Sequence, residues 1–112
     1  MYEYRAEVDR VVDGDTIDFT VDLGFHTFTK IRTRLSGVDT HETYGVSHDS
    51  EEFRLGKIET EFVEEWLDDA DELFIETEKT GKYGRWIAQV YNDSGESLNV
   101  ALIEEFDVAS QA

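Results

Sequence analysis

Cysteine, proline, basic residues and long apolar runs are all scarce or absent in this 112-residue chain. Without cysteine it can form neither disulfide bonds nor thiolate metal sites. Its longest apolar run is the four residues Val100 to Ile103, too short for a membrane span, and its first residues lack a signal peptide pattern. As written, the chain is expected to be soluble, cytoplasmic and without a membrane partner, and an extracellular location stays open if a leader was removed.

The scarcity of basic residues gives the chain an unusual charge. Ten Lys and Arg stand against 27 Asp and Glu, for a net charge of −17, and only four of the basic residues are lysines. Such a charge repels nucleic acid at long range, so any polyanionic ligand must depend on local cationic groups. Strong salt would screen the self-repulsion, because the Debye length falls to about 3 Å at 1 M. The composition fits a halophilic source or, alternatively, an ordinary acidic protein.

The length bounds the chain to one domain, residues 1–112. Alternating apolar residues predict five strands, and apolar spacings of three and four predict two helices, the second capped by Ser97. In the third predicted strand, residues 28–35, a slip in apolar parity predicts a β-bulge. The predicted elements are strands near residues 2–8, 17–21, 28–35, 73–77 and 86–90, and helices at 55–70 and 98–106.

The order of three strands, a helix, two strands and a helix predicts an α+β, mainly β fold. In so short a chain it indicates a Greek-key barrel with two helices packed outside. The core face of the first helix is expected to comprise Leu55, Ile58, Phe62, Trp66 and Ala70. Its carboxylates, Glu59, Glu61, Glu64 and Glu65, are expected to form a solvated face. Residues 108–112 are expected to fray.

Three separate stretches carry the chemistry of the chain. They read Asp-Gly-Asp-Thr at 13–16, Arg-Leu-Ser-Gly-Val-Asp-Thr-His-Glu-Thr at 34–43 and Lys-Tyr-Gly-Arg at 82–85. Arginines can grip a phosphate, while clustered carboxylates suit a hard cation and a base that activates water. The combination points to phosphodiester hydrolysis.

A hairpin between the second and third strands would bring two of these stretches together. If the chain turns near Gly24, paired residue numbers add to about 47 to 49, which places Asp15 beside Arg34. Each motif also has a simpler interpretation when taken alone: a turn around Gly14, a surface ion pair at Arg34, and a polar connection at 82–85.

Taken jointly, in this order and spacing, the motifs resemble the staphylococcal nuclease (thermonuclease) family over nearly the whole chain. The resemblance implies an OB-type barrel and a calcium-dependent nuclease that hydrolyses DNA, RNA or both. The chain is expected to be a monomer. It implies that Asp15 and Asp39 bind calcium directly and that Thr40 adds its backbone carbonyl.

The resemblance also assigns the reacting groups. Glu42 is similar to the family's general base, and Arg34 and Arg85 resemble the pair that clamps the scissile phosphate. Lys82 and Tyr83 match positions that contact the terminal phosphate and sugar of a bound nucleotide.

The chain departs from the family pattern in three ways. His41 stands where proline is usual, typical members continue into a third helix beyond the position of Ala112, and typical secreted members are basic. An isolated histidine makes a poor metal site, so His41 is expected to have no metal-binding or catalytic role. Two other functions remain open: a noncatalytic nucleic-acid or protein-binding module, and an acidic interaction domain.

Overall fold

A computed structural model describes residues 2–78 and 85–109 of the chain. The observed elements follow the predicted order of three strands, a helix, two strands and a helix. They are β1 (Tyr2–Asp13), β2 (Thr16–Asp22), β3 (Phe28–Leu35), α1 (Glu51–Asp69), β4 (Leu73–Glu78), β5 (Trp86–Asn92) and α2 (Leu98–Phe106).

The five strands close into a barrel in the order β1-β2-β3-β5-β4. All neighbours are antiparallel except β3 and β5, which run parallel, so the chain crosses over between them by way of α1 and β4. This confirms the predicted α+β, mainly β architecture: a five-stranded OB-type barrel with two helices.

The barrel interior is filled by the alternate residues that the period-two pattern marked. Ile17 and Phe19 on β2 and Ile75 on β4 are fully buried. Leu98 and Leu102 of α2 join the same core, where their side chains are also fully buried. Because barrel and helices share one apolar core, the loops at the barrel rim are held against a rigid support.

The β2–β3 hairpin differs from its predicted register by one residue. Thr16 pairs with Arg34, and Leu35 donates its amide to the Asp15 carbonyl at 2.9 Å. The pairing is regular along all of β3, so the bulge predicted there is wrong. Its apparent signal came from Phe28, which faces solvent with 58% of its surface exposed. The irregularities lie in β1 instead.

The buried face of α1 is rotated from the predicted one. Ile58 is 41% exposed, and Phe62 and Trp66 only flank the core. The buried residues are Gly56, Glu59, Thr60, Val63 and Leu67. The prediction that Glu59 belongs to a solvated face is therefore wrong, since its exposure is 2%. Apolar spacing could not reveal this, because the N-terminal half of the helix packs against a polar loop.

Residues 107–109, which follow α2, contact the rest of the fold. Ser97 caps the helix by accepting from the Val100 amide, as predicted. Val108 is 5% exposed, and its carbonyl accepts from the Asp39 amide at 2.8 Å, so the prediction that fraying begins at Val108 is wrong. None of the helices in the described ranges is both long and apolar enough to span a membrane.

Candidate active site

Folding brings Asp15 of the first motif together with Arg34 and Asp39 of the second. Arg34 leaves the outer side of β3 and directs Nη2 toward two carboxylates, at 3.7 Å from Asp15 Oδ2 and 3.2 Å from Asp39 Oδ1. Both carboxylates therefore share one guanidinium and face a common space. The side chains of Arg34 and Asp39 are 40% and 60% exposed, which leaves this space open to a ligand.

Gly14 is required by close packing rather than by backbone conformation. A Cβ at this position would lie 2.9 Å from Thr40 Cγ2, closer than such contacts allow. The turn between β1 and β2 therefore rests directly on Thr40, whose amide donates to Asp15 Oδ2 at 3.2 Å. The Thr40 hydroxyl is buried and has no hydrogen-bond partner among the described residues.

Glu42 lies at the edge of a group of carboxylates and is an exposed residue. The pKa of Glu42 is raised, first by partial burial and then by four neighbouring carboxylates. Those neighbours, in decreasing order of effect, are Asp13, Asp15, Glu52 and Asp39. Three of these four acids, Asp13, Asp15 and Asp39, belong to the first two motifs, so folding brings the acids of both motifs close enough to interact electrostatically.

Asp15 is 6% exposed, and two effects compete over its protonation. Burial raises its pKa and outweighs the opposing effects of the Arg34 charge and of hydrogen bonds from Thr40 and Thr16. A buried carboxylate with a raised pKa gains more from a nearby cation than an exposed one does.

Three acidic residues that sequence reasoning had not assigned to the site support the loop of residues 39–43, here called the site loop. Glu59 on α1 accepts from the His41 amide at 2.7 Å and contacts His41 Nδ1 at 2.9 Å. Glu52 accepts from the Glu42 amide, and Asp13 from the Thr43 hydroxyl. No sequence signal separated Glu59 from the other fourteen glutamates. Asp13 was visible only as part of the first motif.

The third motif is described only at its last residue. Arg85 directly precedes β5, where Trp86 pairs with Thr33 and Ile87 with Arg34, so its backbone lies beside the strand that carries Arg34. The Arg85 side chain forms no hydrogen bond or ion pair with any residue in the described ranges. Lys82 and Tyr83 lie outside the described residues.

The donor set suits a hard cation. Asp15, Asp39 and the Thr40 backbone offer only oxygen, which calcium prefers, and partial burial together with four nearby carboxylates raises the pKa of Glu42 beside them. Across residues 2–78 and 85–109, no three His, Cys, Asp or Glu side chains are arranged to enclose a metal. A cation here would therefore need backbone and water oxygens besides the two carboxylates.

Comparison with known proteins gives two matches. A family model described as "Staphylococcal nuclease homologue" matches residues 32–106. Over 107 residues the chain is 33% identical to a protein named Endonuclease YhcR from Bacillus subtilis (strain 168). That match covers 91% of this chain but only 8% of the relative, so the chain corresponds to a small part of a much longer protein.

Proposed function

The chain belongs to the staphylococcal nuclease family, and from this we propose that it is a calcium-dependent phosphodiesterase that cleaves DNA or RNA. The observation that carries the proposal is the convergence of Asp15, from the first motif, with Arg34 and Asp39, from the second, on one open space at the barrel rim. A phosphate-binding group and oxygen donors for a cation are the two parts that phosphodiester hydrolysis requires.

Asp15 and Asp39 would hold the calcium ion, together with the Thr40 carbonyl and water. When bound, the ion would act as a Lewis acid that offsets negative charge on the phosphoryl oxygens. Asp15 is buried and held by Thr40, whereas Asp39 is exposed, so the first provides a fixed ligand and the second an adaptable one.

Glu42 is the proposed general base that takes the proton from the attacking water. Its side chain is exposed at the cluster, where a water molecule can reach it. Its raised pKa also supports this role, because a base accepts protons best when its pKa lies near the working pH.

The two arginines are proposed to bind the scissile phosphate. A planar guanidinium can give two parallel hydrogen bonds to phosphoryl oxygens and stabilise the charge that develops on them. Arg34 already neutralises two carboxylates, while Arg85 has no acidic partner among the described residues. Lys82 and Tyr83 are proposed to contact the nucleotide, in line with the family resemblance.

A cleavage assay tests the proposal directly. Single-stranded DNA and RNA are incubated with the protein in calcium or in chelator, each at low and at molar KCl. We expect cleavage in calcium only, and we expect an Asp15→Asn, Asp39→Asn double variant, the matched control, to lose it. If nucleic acid binds but is never cut, the chain is a noncatalytic binding module. Absence of calcium-dependent cleavage under every condition would remove the enzymatic proposal.

A further inference from the structure

We propose that Glu59, through its contact with His41, is a positioning residue that holds the site loop in the geometry needed by Asp39 and Glu42. The inference rests on the proposed function of Glu42, but its structural part can be tested without any cleavage. Glu59 itself lies behind the loop on α1, with 2% of its surface exposed, and so would not touch substrate.

The first observation is how the Glu59 carboxylate is used. Oε1 accepts the His41 amide at 2.7 Å, and Oε1 and Oε2 lie 3.1 and 2.9 Å from His41 Nδ1. His41 is the only described residue that hydrogen-bonds to this carboxylate. Burying a carboxylate costs free energy unless the carboxylate accepts hydrogen bonds. Among the described residues, every hydrogen bond to the Glu59 carboxylate comes from His41, which lies between Thr40 and Glu42 in the site loop.

The second observation concerns the backbone of the site loop, which has no regular structure. Four consecutive amides each donate to an acceptor outside the loop. The Asp39 and Thr40 amides are held by the Val108 carbonyl at 2.8 Å and by Asp15 at 3.2 Å. The His41 and Glu42 amides are held by two carboxylates of α1, Glu59 and Glu52, each at 2.7 Å. Half of the loop's backbone anchoring therefore comes from one helix.

The third observation is the closeness of helix and loop. A Cβ at Gly56 on α1 would lie 2.8 Å from the His41 carbonyl oxygen and 3.0 Å from that of Glu42. The helix thus meets the site loop backbone to backbone, one turn before Glu59. This contact explains why the buried face of α1 begins with a glycine and a carboxylate rather than with apolar residues.

Together these contacts replace the proline that is usual at the position of His41. Proline restricts the backbone by fixing φ near −65°. Here the restriction comes from hydrogen bonds and packing. His41 does not have a positive φ, so its backbone does not exclude a proline on that ground.

The test uses Glu59→Ala, His41→Pro and the double variant, with Glu61→Ala as the matched control on the exposed side of α1. In Glu59→Ala we expect kcat to fall at least about tenfold with KM nearly unchanged, because a shift of about 1 Å in a catalytic group can cost a hundredfold. His41→Pro alone leaves the buried carboxylate without its donors, so we expect it to lower both kcat and the unfolding midpoint. The double variant removes both partners and restores the restriction on φ, so most of kcat should return.

Glu59→Gln is measured as well, so that the test survives if Glu59→Ala fails to fold. It keeps an oxygen acceptor for the His41 amide, and we expect a smaller loss of kcat than in Glu59→Ala. If Glu59 variants lower the unfolding midpoint while kcat of the folded protein stays at the wild-type value, Glu59 is merely structural and the proposal is overturned. Failure of the double variant to recover kcat would also contradict it.

Amide hydrogen exchange separates this inference from the proposed function. In Glu59→Ala the amides of His41 and Glu42 should exchange at least about tenfold faster, while those of β2 should keep their protection, since local opening exposes only the freed segment. Glu61→Ala should change neither. If the wild-type protein cleaves nothing but this pattern appears, the loop is positioned by Glu59 and the catalytic assignment is wrong. Unchanged exchange at His41 and Glu42 would overturn the positioning.

Discussion

At the residue scale, the acidic residues of the site destabilise the folded chain, and the same residues supply the carboxylates that the proposed reaction requires. Asp15 and Glu42 both have raised pKa values, which means that their charged forms are less favourable in the folded chain than in the unfolded one. Such electrostatic cost is common where a cation or a proton is to be bound. Among the described residues, Arg34 is the only cationic residue that forms ion pairs with Asp15 and Asp39.

Replacing Glu42 by Gln is expected to slow turnover by roughly 10² or more, as the loss of a general base does. Calcium affinity should stay close to that of the wild type, because Asp15 and Asp39 are unchanged. Turnover is measured with saturating calcium, calcium binding by calorimetry, and Glu61→Gln serves as the control with the same change of charge. Near-normal turnover in Glu42→Gln would assign the base to another group.

At the element scale, α1 is both a packing element and a support for the site. Its C-terminal half packs on the barrel through Val63 and Leu67, whereas its N-terminal half contacts the site loop through Gly56 and Glu59. Because both contacts are made by one helix, α1 can hold the backbone around Glu42 in a fixed position relative to the barrel. The site loop is irregular, but the amides of its first four residues are hydrogen-bonded, which holds it in place although it is neither a helix nor a strand.

Gly56→Ala tests this close contact. In an ordinary helix interior the change would stabilise by about 1 kcal/mol, because alanine is the better helix former. Here the added Cβ would meet the carbonyl oxygens of His41 and Glu42 at 2.8 and 3.0 Å. We expect a net loss of up to about 2 kcal/mol, since overpacking typically costs about 1 to 3 kcal/mol and the better helix propensity of alanine offsets about 1 kcal/mol of that cost. Activity should fall as well.

Denaturant unfolding measures the stability, with the exposed neighbour Lys57→Ala as the control. That control should change stability by no more than about 0.5 kcal/mol, as expected for a surface substitution. A Gly56→Ala variant more stable than the wild type would show that the loop can move away from α1 at no cost.

At the scale of the whole molecule, charge is the dominant property. The net charge of −17 on 112 residues creates self-repulsion and also repels a polyanionic substrate at long range. Capture of the proposed nucleic-acid substrate would therefore depend on short-range contacts at the site. We propose that the chain is adapted to strong salt, because high ionic strength reduces both penalties.

We expect the unfolding midpoint to rise as KCl increases from dilute buffer to molar concentrations, since screening reduces the self-repulsion. Thermal unfolding in chelator measures this without a contribution from calcium. A variant with Glu61, Glu64 and Glu65 changed to Gln should show a smaller rise, because it carries less charge to screen. A midpoint that stays flat across this range of KCl would contradict the prediction.

The sequence by itself determined the element order, the mainly β fold and the motifs that identify the family. These follow from local properties: period-two alternation along β2, the Ser97 cap of α2, and residue types at set spacings. The pairing of Asp15 with Arg34 was also predictable, because a hairpin turn near Gly24 limits the register to within about one residue.

Only the tertiary structure decided what holds the site together. Glu59 and Val108 were expected at a solvated face and a frayed end, yet each accepts a hydrogen bond from the site loop. Both are contacts between distant segments, and nothing in a local pattern distinguishes a carboxylate that meets solvent from one that meets a backbone amide across the fold. The physical reason is that burial depends on which two surfaces pack together, and the local sequence of one segment does not reveal which distant segment will pack on it.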